Sequence, residues 1–139
     1  MYCKRKNSTN WQFPQGGIDK NEDIFDAALR ELYEEVGIEE NKIKLIKESD
    51  NWYKYDLPKK YKRNSFLWES FKGQKQKWFL FKLIEETKID LNNENKPEFD
   101  EFNWVDYWEP LNEIVDFKRE IYEKILTELE PAYKSEFCK

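Results

Sequence analysis

Residues 11–19 read Trp11-Gln12-Phe13-Pro14-Gln15-Gly16-Gly17-Ile18-Asp19, and residues 30–38 read Arg30-Glu31-Leu32-Tyr33-Glu34-Glu35-Val36-Gly37-Ile38. Between them, apolar Ile24, Ala28, Leu32 and Val36, joined by Phe25 and Leu29, recur at helical spacing, and Gly37 stands where a left-handed residue ends a helix. A helix is therefore expected over about Asp23 to Val36. On it, Glu31 precedes Glu34 and Glu35 by three and four residues, which sets three carboxylates on one face. Like charges at that spacing repel, and a divalent cation reverses the sign of the interaction. Arg30, four residues before Glu34, can orient a carboxylate, while Gly16-Gly17 lets the backbone come close to a ligand. Taken without its flanks, the same glutamate trio would read as an acidic solvated face.

The chain has 139 residues, 39% hydrophobic and 17% aromatic, enough for one compact domain over 1–139 with its own core. It contains no histidine, which excludes Ser-His and Cys-His couples and imidazole metal ligands. Its two cysteines, Cys3 and Cys138, stand at opposite ends and offer neither a CxxC pair nor a disulfide framework, as suits a reducing cytoplasm. Any metal site must be built from oxygen, which points to Mg²⁺, Mn²⁺ or Ca²⁺. No apolar run reaches the ~18 residues of a membrane span and no leader is evident, so a cytoplasmic protein without a membrane partner is expected.

Charge is segregated along the chain. From Lys54 to Lys82, nine basic residues stand against two acidic ones, Asp56 and Glu69, within a chain of net charge −5. This basic middle is a candidate surface for a polyanion, although a solvated lysine-rich surface has the same composition.

No internal repeat or long linker divides the sequence. Strands are expected at Ile43–Lys47, Trp52–Leu57, Trp78–Ile84 and Phe102–Tyr107, each rich in aromatic or β-branched residues. A second helix is expected over about Leu111–Leu129, with Val115, Ile121, Ile125 and Leu129 inward and Pro131 ending it. The pattern is α+β.

The full spacing Gly16-x5-Glu22-x7-Arg30-Glu31-Leu32-x-Glu34-Glu35-x-Gly37-Ile38 resembles the 23-residue box of the Nudix hydrolases, over residues 16–38. The flanks narrow the likeness. Trp11 to Ile18, Trp52-x-x-Tyr55-x-Leu57-Pro58, Gly73-Gln74-Lys75-Gln76-Lys77-Trp78-Phe79, Pro97-Glu98-Phe99-Asp100 and Phe117-Lys118-Arg119 are similar to blocks of the bacterial RNA pyrophosphohydrolase group, whose close relatives cleave diadenosine polyphosphates. The resemblance runs from about Tyr2 to about Leu129.

That resemblance implies a Nudix fold, a mixed β-sheet sandwiched between helices, hydrolysing a phosphoanhydride with two to three Mg²⁺ (or Mn²⁺) ions. Glu31, Glu34, Glu35 and Glu98, with the carbonyl of Gly16, would hold metal. Glu35, or else Glu31, would take a proton from water, with Arg30 orienting the carboxylates. Arg5 and Phe117 would sandwich a base, Tyr55, Gln74 and Lys118 would meet the phosphates, and Lys75 is a further substrate-binding donor. The substrate implied is 5′-triphosphorylated or diphosphorylated RNA, trimmed to a 5′-monophosphate, with no DNA partner and a monomeric enzyme. A diadenosine polyphosphate hydrolase producing ATP is the alternative. Relatives of this group carry roughly twenty further residues before the position of Tyr2, so this chain begins inside what should be the second strand. A catalytically weak fragment that binds RNA or polyphosphate is therefore a third reading.

Overall fold

The computed structural model describes residues 1–55, 74–112 and 116–138, with the backbone alone at 55, 74, 75, 116 and 117. Helix α1 spans Ile24–Val36, the span its apolar stripe predicts. Asp23 caps it: the carboxylate accepts the N–H groups of Phe25 at 3.0 Å and Asp26 at 3.3 Å, satisfying two donors that the first turn leaves unpaired. At the other end Gly37 adopts φ 74°, and its N–H returns to the Tyr33 carbonyl at 2.9 Å. A Cβ at Gly37 would lie 3.2 Å from the Asp90 nitrogen. Gly37→Ala is therefore expected to lower stability by about 1–3 kcal/mol, measured by urea unfolding.

The strands are β1 (Tyr2–Arg5), β2 (Trp11–Gln12), β3 (Ile43–Glu48), β4 (Tyr53–Tyr55), β5 (Gln74–Gln76), β6 (Phe79–Leu83) and β7 (Phe99–Asn103). They form antiparallel ladders in the orders β2-β1-β7, β3-β6 and β4-β5. β6 shows how the layers stack. Phe79 and Phe81 meet Phe25 of α1, at ring separations of 5.8 and 6.2 Å. Leu80, pointing the other way, packs on Ile121, Ile125 and Leu129 of the second helix, α2 (Asp116–Phe137). The sheet layer thus lies between two helices in an α+β arrangement, as expected.

Two elements differ at both ends from the sequence reading, and the end of the expected Trp52–Leu57 strand lies outside the described residues. The last strand is Phe99–Asn103 rather than Phe102–Tyr107, because β7 pairs with β1 and the register sets Asn103 opposite Tyr2. Trp104, which follows that pair, is 58% exposed. The second helix begins at Asp116 and passes through Pro131 to Phe137 instead of stopping. Proline removes one N–H, while the final turns gain other partners. Tyr133 stacks on Tyr107 at 4.4 Å, Phe137 stacks on Tyr133 at 5.0 Å, and Glu136 receives Lys82 at 3.4 Å. Leu111 belongs to a 3-10 turn over Glu109–Asn112, and Val115 lies outside the described residues. Ile121, Ile125 and Leu129 are buried as expected.

Among the described residues, three apolar clusters hold these layers. Cys3, Val36, Ile38 and Phe99 join α1 to β1 and β7; Tyr2 and Tyr122 join β1 to α2; Tyr53, Ile121, Ile125 and Leu129 join α2 to β4. Cys3 and Cys138 are both free.

Candidate active site

The second half of α1 carries Arg30, Glu31, Glu34 and Glu35, and the extended segment after β2 runs alongside it. Arg30 organises this face. Its Nε and Nη2 donate to the two oxygens of Glu22, both at 2.9 Å; Nη1 donates to Glu31 at 2.8 Å and Glu34 at 3.2 Å; Nη2 also reaches the Gly17 carbonyl at 2.8 Å. One planar guanidinium therefore ties the loop, the helix start and two carboxylates together. The bond from Arg30 holds the Glu22 carboxyl below the usual carboxylate range.

Glu35 is 1% exposed. Its Oε2 accepts the Gln15 N–H at 3.0 Å, and its Oε1 is buried with no hydrogen-bond partner among the described residues. Burial, then the charge and the close side chain of Glu98, then the charge of Glu31, push the carboxyl up to about 10. Glu31 is also raised, first by burial and with Glu34 and Glu98 adding to it, while Arg30 opposes the shift. An unpartnered buried carboxylate oxygen facing other carboxylates costs free energy unless positive charge arrives, so the donor set fits a hard divalent cation. Glu31, Glu34, Glu35 and Glu98 are the residues that could hold it. As placed, no three acidic or thiol side chains among the described residues close around a single point, and Arg30 engages Glu31 and Glu34.

Gly16 leaves room for this arrangement. A Cβ there would fall 1.9 Å from the Glu31 carboxyl carbon. Because the obstructed atoms are the end of a flexible side chain, Gly16→Ala should displace Glu31 rather than unfold the protein. The expected result is a fall in turnover of about 10-fold with little change in Tm, read by steady-state kinetics and thermal melting.

Glu98 comes from the loop before β7, pinned where the Lys6 N–H meets the Glu98 carbonyl at 2.8 Å. That loop also reaches α1, where the Asn93 side chain donates to the Tyr33 carbonyl at 2.8 Å. Next to Asn93, Glu94 was not distinguishable in the sequence from any loop acid. Its Oε1 is buried without a hydrogen-bond partner among the described residues, and burial, then Glu98 and Glu34, raise its carboxyl. Gln15 also escaped the sequence reading, since its main chain rather than its side chain touches Glu35.

Arg5 and Lys118 are brought together. Burial lowers the Lys118 ammonium, and the Arg5 charge lowers it further. The side chains of Tyr55, Gln74, Lys75 and Phe117 lie outside the described residues, although the backbones of Tyr55 and Gln74 pair across β4 and β5. Most of the basic middle lies outside them too. Of its described members, Lys77 lies over the Trp52 ring at 5.6 Å, and Lys82 pairs with Glu136.

The family model of the NUDIX domain matches residues 2–125, which include this entire carboxylate face. The chain belongs to the Nudix family. Nudix hydrolases act with divalent metal ions on pyrophosphate bonds, in keeping with the charge of the site. An RNA pyrophosphohydrolase of Francisella tularensis subsp. mediasiatica is 47% identical over 91% of this Nudix chain and 81% of its own length. One from Shewanella denitrificans is 42% identical over 95% of this chain and 77% of its own. Two solved structures share the fold. A C. elegans Ap4A hydrolase binary complex superposes with a TM-score of 0.66 at 18% identity, covering 94% of this chain and 85% of that one. The E. coli dihydroneopterin triphosphate pyrophosphohydrolase gives 0.68 at 19%, covering 91% and 84%.

Proposed function

We propose that this Nudix chain, one domain over 1–139, removes pyrophosphate from the 5′-triphosphate end of RNA to leave a 5′-monophosphate, so initiating mRNA decay. The observation that carries the reading is its 42–47% identity to RNA pyrophosphohydrolases along nearly its whole length. Two or three Mg²⁺ or Mn²⁺ ions held by Glu31, Glu34, Glu35, Glu98 and the Gly16 carbonyl would neutralise the polyphosphate and acidify a bound water. Glu35 takes the proton of the attacking water, with Glu31 the other candidate, and Arg30 keeps the carboxylates in place. Arg5 and Phe117 flank a base, Tyr55, Gln74 and Lys118 contact the phosphates, and Lys75 is a further substrate-binding residue. The enzyme works as a cytoplasmic monomer. No helix among the described residues is long and apolar enough to cross a membrane.

The test compares pyrophosphate and phosphate release from 5′-triphosphate RNA and from diadenosine tetraphosphate, each with Mg²⁺ or EDTA. Turnover of RNA that stops with EDTA, and much slower cleavage of the dinucleotide, is the expected result. The reverse preference would assign a diadenosine polyphosphate hydrolase. Folded protein that binds RNA without turning over either substrate would reduce the chain to a binding module.

A further inference from the structure

We propose that Gln76, acting through Gln15, is a positioning residue for Glu35. Trp78 donates its indole N–H to Gln76 Oε1 at 3.1 Å, and Gln76 donates from Nε2 to Gln15 Oε1 at 3.0 Å. The Gln15 main-chain N–H then donates to Glu35 Oε2 at 3.0 Å. The direction of this relay is fixed by chemistry. An indole nitrogen can only donate, so the oxygen of Gln76 must face Trp78 and its NH₂ must face Gln15.

The relay starts on a rigid support. The Trp78 ring stands edge-on to Phe13 at 5.5 Å and to Tyr122 at 5.3 Å, and the Trp78 N–H donates to Ser49 Oγ at 3.0 Å. Phe13 lies two residues before Gln15 on the segment that carries Gln15 past α1, so Trp78 steadies that segment both by packing and through Gln76. With Oε2 of Glu35 held by Gln15, Oε1, which has no hydrogen-bond partner among the described residues, is left as the atom available to a cation. Outer partners of metal-binding carboxylates set their orientation in this manner. Gln76 also ends β5, the strand that carries Gln74 and Lys75, so one strand serves both the proposed substrate contacts and the catalytic carboxylate.

This inference rests on Glu35 being a metal ligand, and the experiment separates the two. Gln76→Met and Gln15→Met keep side-chain length and remove the donor or the acceptor. Mn²⁺ affinity by electron paramagnetic resonance, kcat and KM on 5′-triphosphate RNA, and the Gln15 amide proton shift are measured for the wild type, both single variants, the double variant and Glu35→Gln. Near-UV circular dichroism checks folding, and either single variant suffices should the other misfold. Each single variant is expected to lose about 10-fold in kcat and in Mn²⁺ affinity, with KM changing less than about 2-fold and the Gln15 amide signal displaced. The double variant should be no worse than the poorer single. A rise in KM alone would overturn the proposal and make Gln76 a substrate contact, and fully additive losses would overturn it by showing two independent sites. If Mn²⁺ binding is lost in Glu35→Gln yet unchanged in the Gln76 and Gln15 variants, the relay fails while the metal site stands. If wild type and Glu35→Gln bind Mn²⁺ alike, both fail together.

Discussion

Glu35→Gln is expected to lower kcat by about 10³-fold while making the metal-free protein more stable. Both effects come from one buried carboxyl. In the absence of metal its folded-state value is pushed up to about 10, against 4.5 in its ordinary state, so the folded chain binds a proton that the unfolded chain gives up. The folded state therefore loses stability as pH rises from about 4.5 towards about 10. Glutamine has nearly the same shape and no charge to bury, so this loss disappears. In EDTA at pH 8, Glu35→Gln should melt roughly 2–8 °C above the wild type, and its Tm should vary less with pH. Adding Mn²⁺ should raise the wild-type Tm and leave the variant unmoved, because only a ligand bound by the folded state stabilises it. A variant that retained wild-type turnover would remove Glu35 from the chemistry. One with the same pH dependence of Tm as the wild type would show that its burial carries no electrostatic cost.

Arg30→Lys is expected to lower kcat by about 10²-fold, despite keeping the charge. The guanidinium meets Glu22, Glu31, Glu34 and the Gly17 carbonyl at once. Lysine brings one ammonium on a flexible stem and cannot span these four partners. Released from Arg30, Glu31 and Glu34 would still be present, though no longer held relative to Glu35 or to the glycine segment. Circular dichroism should show an intact fold, and the Mn²⁺ affinity should fall along with kcat. Wild-type kinetics in Arg30→Lys would show that charge alone suffices and that the fork geometry is incidental.

The parts of the site legible in the sequence are those decided within a few residues. The span of α1 follows from its apolar spacing and from the left-handed Gly37, and the grouping of Glu31, Glu34 and Glu35 follows from helical geometry alone. The box spacing added Glu22 and Arg30, and the structure joins them directly. What escaped depends on contacts distant in sequence. The limits of β7 are set by β1 nearly a hundred residues away, and the passage of α2 through Pro131 depends on Tyr107 and Lys82. Gln15 and Gln76 are 61 residues apart and carry no periodic signature. Glu94 resembles any polar loop acid until Asn93 anchors its loop on α1.

The pairing of β1 with β7 also orders events in time. Tyr2 lies opposite Asn103, so the strand that follows Glu98 is fixed only once the chain's beginning has met a segment synthesised about a hundred residues later. Closing so long a loop is slow, because its entropic cost falls due before the contacts that reward it. The helix with its three glutamates can form early and locally, whereas Glu98 arrives with that closure. A nascent chain shorter than β7 therefore has an incomplete acidic face, and hydrolytic competence becomes a late event of folding. In refolding experiments, activity should return with the slow phase that reports β1–β7 closure and lag behind the recovery of helical signal.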